Sequence, residues 1–263
     1  MTLTTQWGWT AGLLSALAVV VIGAVAFAET PAAPKVSTYA PPKDMAAAVD
    51  KHIARMEEAV ASEADYKDFG DRNLKDANTL ILLALAAGLH DQDNKYKEAA
   101  PALMKAAQAV AKAKTFEAAK AAVAEVKKAA ETGKANPTSL KWEKVADLPE
   151  LMKAVPLVNN RLKRNVRPTA FKKKSTDNGA DSATLAVIAQ GSIADTSQAK
   201  GAEQEKQWQE FCILMRDAAA AVNKEVHAGD QPAADKAMAN LIKSCDTCHE
   251  VFHKEQVGKS GDE

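Results

Sequence analysis

Apolar and polar positions along most of the chain repeat with the period of an α-helix. Leu74, Ala77, Leu80, Ile81, Ala84 and Leu85 fall three and four apart and trace one face. Leu103, Met104, Ala107 and Val110 trace a second, and Phe116, Ala119, Val123, Val126 and Ala130 a third. Breaks fall at residues 88–94 and at Lys114-Thr115, where Thr115 is placed to cap the helix that follows. With residues 45–60 ahead of them, these make four helices. Residues 131–140, ETGKANPTSL, break the pattern with turn chemistry. It restarts as helices over 147–166, 181–193, 203–226 and 232–254. The third of these carries Trp208, Phe211, Met215, Ala219 and Val222 on one side.

The two halves read as copies. Asp76-Ala-Asn-Thr79-Leu80 parallels Asp181-Ser-Ala-Thr184-Leu185, and Ala102-Leu-Met104-Lys105 parallels Ile213-Leu-Met215-Arg216. Lys120 and Lys127 line up with Lys236 and Lys243 in the last helix of each half. The expected fold is all-α: two tandem four-helix bundles over 44–131 and 141–257, each long enough for its own core.

Composition supports helices. About a fifth of the 263 residues are alanine and only 5% are aromatic, so strand formers are sparse. The 34 basic and 34 acidic side chains cancel, which argues against a nucleic-acid binder and against a polybasic membrane-surface protein. Residues 11–28 carry no charge and end in Ala26-Phe27-Ala28, a site that export peptidases accept. Residues 1–28 therefore read as a signal peptide or, if uncleaved, an anchor helix. The expected location is periplasmic or otherwise extracytoplasmic. Residues 29–43 hold four of the ten prolines and read as an extended tether.

Three cysteines are too few for a disulfide scaffold. Two of them belong to Cys245-Asp-Thr-Cys248-His249, the C-x-x-C-H pattern through which c-type haem is attached. On a helix, positions i, i+3 and i+4 share a face, so both sulfurs and the imidazole address one side of a flat macrocycle. The thiols then add to its vinyl groups and His249 ligates the iron. Met238, Leu241, Ile242 and Phe252 extend that face. Zinc is an alternative, although no second Cys/His cluster stands elsewhere in the chain to complete a set. A redox dithiol is another, although such pairs ordinarily follow a strand. Chance occurrence of a short pattern is the third.

A C-x-x-C-H on the last helix of a four-helix bundle, with Phe252 three residues after His249, resembles the class II c-type cytochromes, the cytochrome c′ family. Trp208 and Met215 stand at plausible bundle positions, and the resemblance covers roughly residues 142–257. It implies one covalent haem c, held by Cys245 and Cys248 with His249 as axial ligand. In the first half Ala129 and Thr132 stand where the cysteines would be, so that half carries none. His253 departs from the family, which usually has an arginine near the haem propionates. The first helix of such a bundle faces the other side of the haem. Met152 is then the candidate sixth iron ligand, or else a core filler, with Val49 in its place in the first half. Pro156 is expected to kink that helix.

The resulting expectation is an exported monohaem cytochrome that carries single electrons between redox partners. The alternatives are a five-coordinate module binding NO or CO, and a haem-free helical interaction module. No acid, base or nucleophile converges beside the motif, so an enzyme is not expected. His52, His90 and His227 read as surface histidines, His253 as exposed, and Cys212 as a buried inert thiol. Residues 161–174 hold seven basic side chains (Arg161, Lys163, Arg164, Arg167, Lys172, Lys173, Lys174) and no acidic one. They read as a solvated helix end or, more sharply, as a docking patch for an acidic redox partner.

Overall fold

The computed structural model describes residues 1–2, 30–134 and 139–253. The apolar run at 11–28, read as signal or anchor, lies outside the described residues, as does the end of the chain from 254. Among the described residues the fold is all-helical: a 3-10 turn at Val36–Thr38 and eight α-helices. These are α1 (Pro42–Ala59), α2 (Glu63–Leu89), α3 (Ala100–Lys112), α4 (Phe116–Thr132), α5 (Leu148–Asn165), α6 (Ser175–Ser192), α7 (Ala202–Ala228) and α8 (Gln231–Phe252). None of them is long and apolar enough to cross a membrane.

Side-chain caps start four of the helices. Backbone N–H groups donate to Ser62 ahead of α2, Thr115 ahead of α4, Asp147 ahead of α5 and Asp230 ahead of α8. Gly229, at φ 71°, ends α7 in the left-handed conformation that glycine adopts without cost. Helix α5 continues past Pro156 to Asn165, with the proline exposed.

The first four helices close on themselves, α1 packing on α2 and α4, and α3 on α2 and α4. In the second four, α6 packs on α5 and α7, and α7 on α8, while α5 and α8 barely meet. The two sets join through α1 on α6 and through α2 on α5 and α6. Residues 76–87 of α2 and 178–193, spanning α6 and its C-cap, are buried on every side. The separate cores expected for the two halves are therefore one continuous cluster, reaching from Met45, Leu80 and Leu103 to Leu162, Ile188, Val222 and Leu241. The cause is the apolar run on both central helices, which leaves neither with a face for water. They approach closely: a Cβ on Gly191 would stand 2.6 Å from Leu82.

Buried ion pairs repeat between the halves. Arg55 Nε donates to Asp76 Oδ2 at 2.9 Å, and Arg161 Nε to Asp181 Oδ2 at 2.7 Å. Thr79 and Thr184 each donate to the carbonyl four residues back. Other bonds tie the halves together. Lys51 reaches Asp181 at 2.8 Å, Asp44 Oδ2 meets His227 Nε2 at 2.6 Å and Asn223 Nδ2 at 2.8 Å, and the Asp147 N–H donates to Asn78 at 2.9 Å.

Three further expectations change. The tether reading fails from Val36 onward, because Val36, Tyr39 and Ala40 are buried. A 3-10 turn puts residues three apart on one face, so Val36 and Tyr39 insert together. Helix α6 starts at Ser175, six residues before Asp181, because Asn178-Gly179 serves close packing rather than a turn. A Cβ on Gly179 would lie 2.6 Å from Asp44 Oδ1. His52 and His90 are buried rather than on the surface. His52 Nδ1 bonds Asp76 at 3.0 Å. His90 accepts from Gln92 N–H at Nδ1, which leaves Nε2–H to donate to the Ala40 carbonyl at 3.0 Å.

Burial alone would raise the Asp76 carboxyl, but bonds and charge from His52 and Arg55 outweigh it and hold the group below its ordinary 3.8. A depressed carboxylate stabilises the fold above that value and loses its contribution as pH falls below it. Urea unfolding as a function of pH should therefore show a fall in stability below about pH 4. In Asp76→Asn that fall should be shallower, and stability at neutral pH should drop by about 3 kcal/mol.

Candidate functional site

The C-x-x-C-H residues occupy the last turns of α8. That helix is positioned by Ala234, Ala237, Met238 and Leu241, buried at helical spacing, and Cys245, Cys248 and Phe252 continue the row. Cys248 and Phe252 pack into a small cluster of Leu148 and Met152 from α5, Ile193 and Ala199 after α6, and Trp208, Cys212 and Ile213 from α7. The Phe252 ring stands perpendicular to Trp208 at 5.2 Å and to Phe211 at 6.2 Å between centroids. Trp208 Nε1–H donates to the Ser192 carbonyl at 2.9 Å, which fixes the indole against the end of α6.

The structure thus brings Met152, Cys248 and Phe252 together at one end of the second set of helices. They sit beside the thin seam where α5 and α8 barely meet. Cys245 and His249 are half-buried on the same helix, and the His249 ring lies edge-on to His253 at 5.7 Å. His253 is exposed. Cys212 is buried as expected, but its neighbour was not legible in the sequence: Cys248 shares its cluster across 36 positions of chain. Leu148 and Ile193 were missed as well, since nothing local marks a residue at a helix end as lining a distant pocket.

Burial sets the protonation states. It pushes the Cys248 thiol up to about 11, with the Cys245 sulfur adding to the shift, and it raises Cys245 as well. Cys212 is raised further still by the same cause. Burial, then the neighbouring His253, lowers His249. At neutral pH the site offers protonated thiols and a neutral imidazole on an apolar wall. Reactive dithiols carry lowered thiol pKa values, so thiol–disulfide exchange is poorly served here. Among the described residues no three His, Cys, Asp or Glu side chains converge as a set for a metal ion.

In the first half, the corresponding positions are Ala129, buried, and Thr132, whose hydroxyl bonds the Lys128 carbonyl at 2.9 Å. Val49 is fully buried. A cleft of about 830 Å³ between the start of α2 and the α3–α4 junction lies in this half and away from the motif. The basic run does not adjoin the motif either. It follows the far end of α5, where Gln231 at the start of α8 bonds the Val166 carbonyl at 2.9 Å.

Thiol labelling of the native apoprotein checks this arrangement. Half-buried Cys245 and Cys248 should react with a soluble disulfide reagent, and Cys212 only after denaturation. Compared with protein-family models, with curated proteins and with solved structures, the chain finds no match.

Proposed function

We propose that this chain is an exported monohaem c-type cytochrome of the cytochrome c′ type, built as two tandem four-helix bundles, that carries single electrons between redox partners. The observation that carries the reading is that Cys248 and Phe252 of the helix bearing C-x-x-C-H, and Met152 of α5, pack on one small apolar cluster of Leu148, Ile193, Trp208 and Cys212. The residues present fit haem c. Cys245 and Cys248 are free thiols three apart on one helix, His249 follows them, and the adjoining wall is apolar. Cys245 and Cys248 would hold the macrocycle and His249 would ligate iron, with Met152 as candidate for the sixth position. Bound there, the haem would supply a one-electron couple whose potential a thioether ligand raises.

The chain's own residues do the rest. Leu148, Ile193, Trp208 and Phe252 keep water from one side of the site. The lowered His249 stays neutral at physiological pH and so remains a competent ligand. The bond from Trp208 to the Ser192 carbonyl fixes the indole in its edge-to-face contact with Phe252. A second reading, a five-coordinate module for NO or CO, is favoured by the packing of Met152 against both apolar clusters, which suits a core side chain.

The optical spectrum of protein matured with haem decides between them. A low-spin ferrous form unmoved by CO, and converted to a CO-binding form in Met152→Ala, is the expected result. A high-spin ferrous form that takes up CO establishes the second reading. Absence of haem stain after denaturation sinks both and leaves a haem-free interaction module.

The first bundle is proposed as a permanent partner for the second, taking the place that another subunit holds in a family dimer. The continuous core, and Lys51 and Asp44 bonding into the second half, support this. A chain beginning at Lys141 should therefore dimerise or aggregate, read by light scattering. A folded monomer would overturn the partnership.

A further inference from the structure

Seven cations between Arg161 and Lys174 read as one patch in the sequence, but folding removes two of them. Arg161 grips buried Asp181 through Nε and Nη2 at 2.7 and 2.8 Å, and Lys174 Nζ lies 3.3 Å from Asp177. Lys163, Arg164, Arg167, Lys172 and Lys173 remain exposed, with no carboxylate among the described residues at ion-pair distance. In a chain of zero formal charge this is a pronounced local excess.

The cluster sits on a pinned segment rather than a loose loop. Val166 and Phe171 are buried beneath it, and the Arg167 carbonyl accepts from the N–H of Ala170 and of Phe171. Its other exposed neighbours are Pro168, Thr169, Ser175 and Thr176, with no exposed aromatic or large aliphatic side chain between residues 163 and 176. Several carboxylates at this end are engaged, while Asp235, one turn into α8, is exposed. Asp177 pairs with Lys51 and Lys174, Asp230 caps α8, Glu225 pairs with Lys224, and Asp44 is buried against His227.

Asp44, at the start of α1, reaches this end of the molecule, where it meets Asn223 and His227 near the end of α7. The α8 helix leads away from the cluster for 22 residues, about 33 Å, and the C-x-x-C-H residues are at its other end.

We infer that this basic end is a docking surface for an anionic phospholipid bilayer. The exposed side chains from 163 to 176 are cationic or small, with no aromatic among them to anchor in a protein pocket, and the nearest exposed apolar side chain is Leu157, about two turns back on α5. A sheet of headgroup charge needs no such anchor, because each cation near it contributes independently. An electron-transfer partner docked here would also stand a helix length from the motif. That last point rests on the proposed function, whereas lipid binding itself does not.

The test is residue-resolved amine labelling of the full chain, read by mass spectrometry. The probes are vesicles of phosphatidylcholine alone and vesicles that also contain phosphatidylglycerol. At low salt, Lys163, Lys172 and Lys173 should be protected several-fold by the anionic vesicles only. Lys206, exposed at the motif end of α7, should label equally on both. The protection should vanish at about 0.5 M salt. Lys172→Glu with Lys173→Glu, both solvent-facing, should lower partitioning to anionic relative to neutral vesicles about tenfold or more. Equal labelling on the two vesicle types, or equal protection of Lys206, overturns the inference. So does stronger protection by polyglutamate than by vesicles, which would assign the face to an acidic protein. None of these readouts involves haem, so failure here and failure of the cytochrome reading are separable.

Discussion

A helix with no face for water has to be surrounded, and α6 is such a helix. From residue 178 to 193 every side chain is buried, Asp181 and Asn178 among them. Asp181 cannot be solvated, so it must be met by cations, and they come from two directions: Arg161 on α5 and Lys51 on α1. Leaving that carboxylate without them would cost several kcal/mol, about the size of a small domain's whole stability margin. This one requirement explains why the first four helices cannot be a separate body on a string. They supply the second cation, and α1 and α2 cover the faces of α6 that α5 and α7 leave open.

The motif end follows from the same arrangement. With α6 enclosed and α7 packed heavily on both α6 and α8, the loosest joint in the second set is between α5 and α8. Met152 from α5 and Cys248 from α8 pack on the same cluster, in which Trp208 and Phe252 stand edge to face. Burial raises both thiols, with no cation beside them to lower them, so the pair is a poor one for thiol–disulfide exchange.

Much of the helical plan was legible because it rests on local rules. Thr115 and Asp147 cap the helices expected after them, and the 3.6-residue spacing of Leu74 to Leu85 belongs to a helix that exists. What escaped the sequence is non-local. Val36 and Tyr39 look like linker residues among prolines, because only a neighbouring surface makes a 3-10 turn there worth forming. His52 and His90 look like surface histidines until Asp76 and Ala40 are folded against them. Asn178-Gly179 carries turn chemistry, but Asp44, arriving from across the molecule, uses the missing Cβ for close approach. At the site, C-x-x-C-H was readable from spacing alone, whereas the adjacency of Cys212 to Cys248 depends on how α7 lies beside α8.

The position of that motif on the last helix has a consequence for timing. A chain made from its N-terminus forms α1 to α7 before α8 is complete, and domains begin to fold as they emerge. The two sulfurs become half-buried only when α8 closes against Trp208 and Ile193. Until then they are on an open strand of polypeptide beside a nearly finished receptor. Docking of that one helix ends the exposure of both sulfurs together.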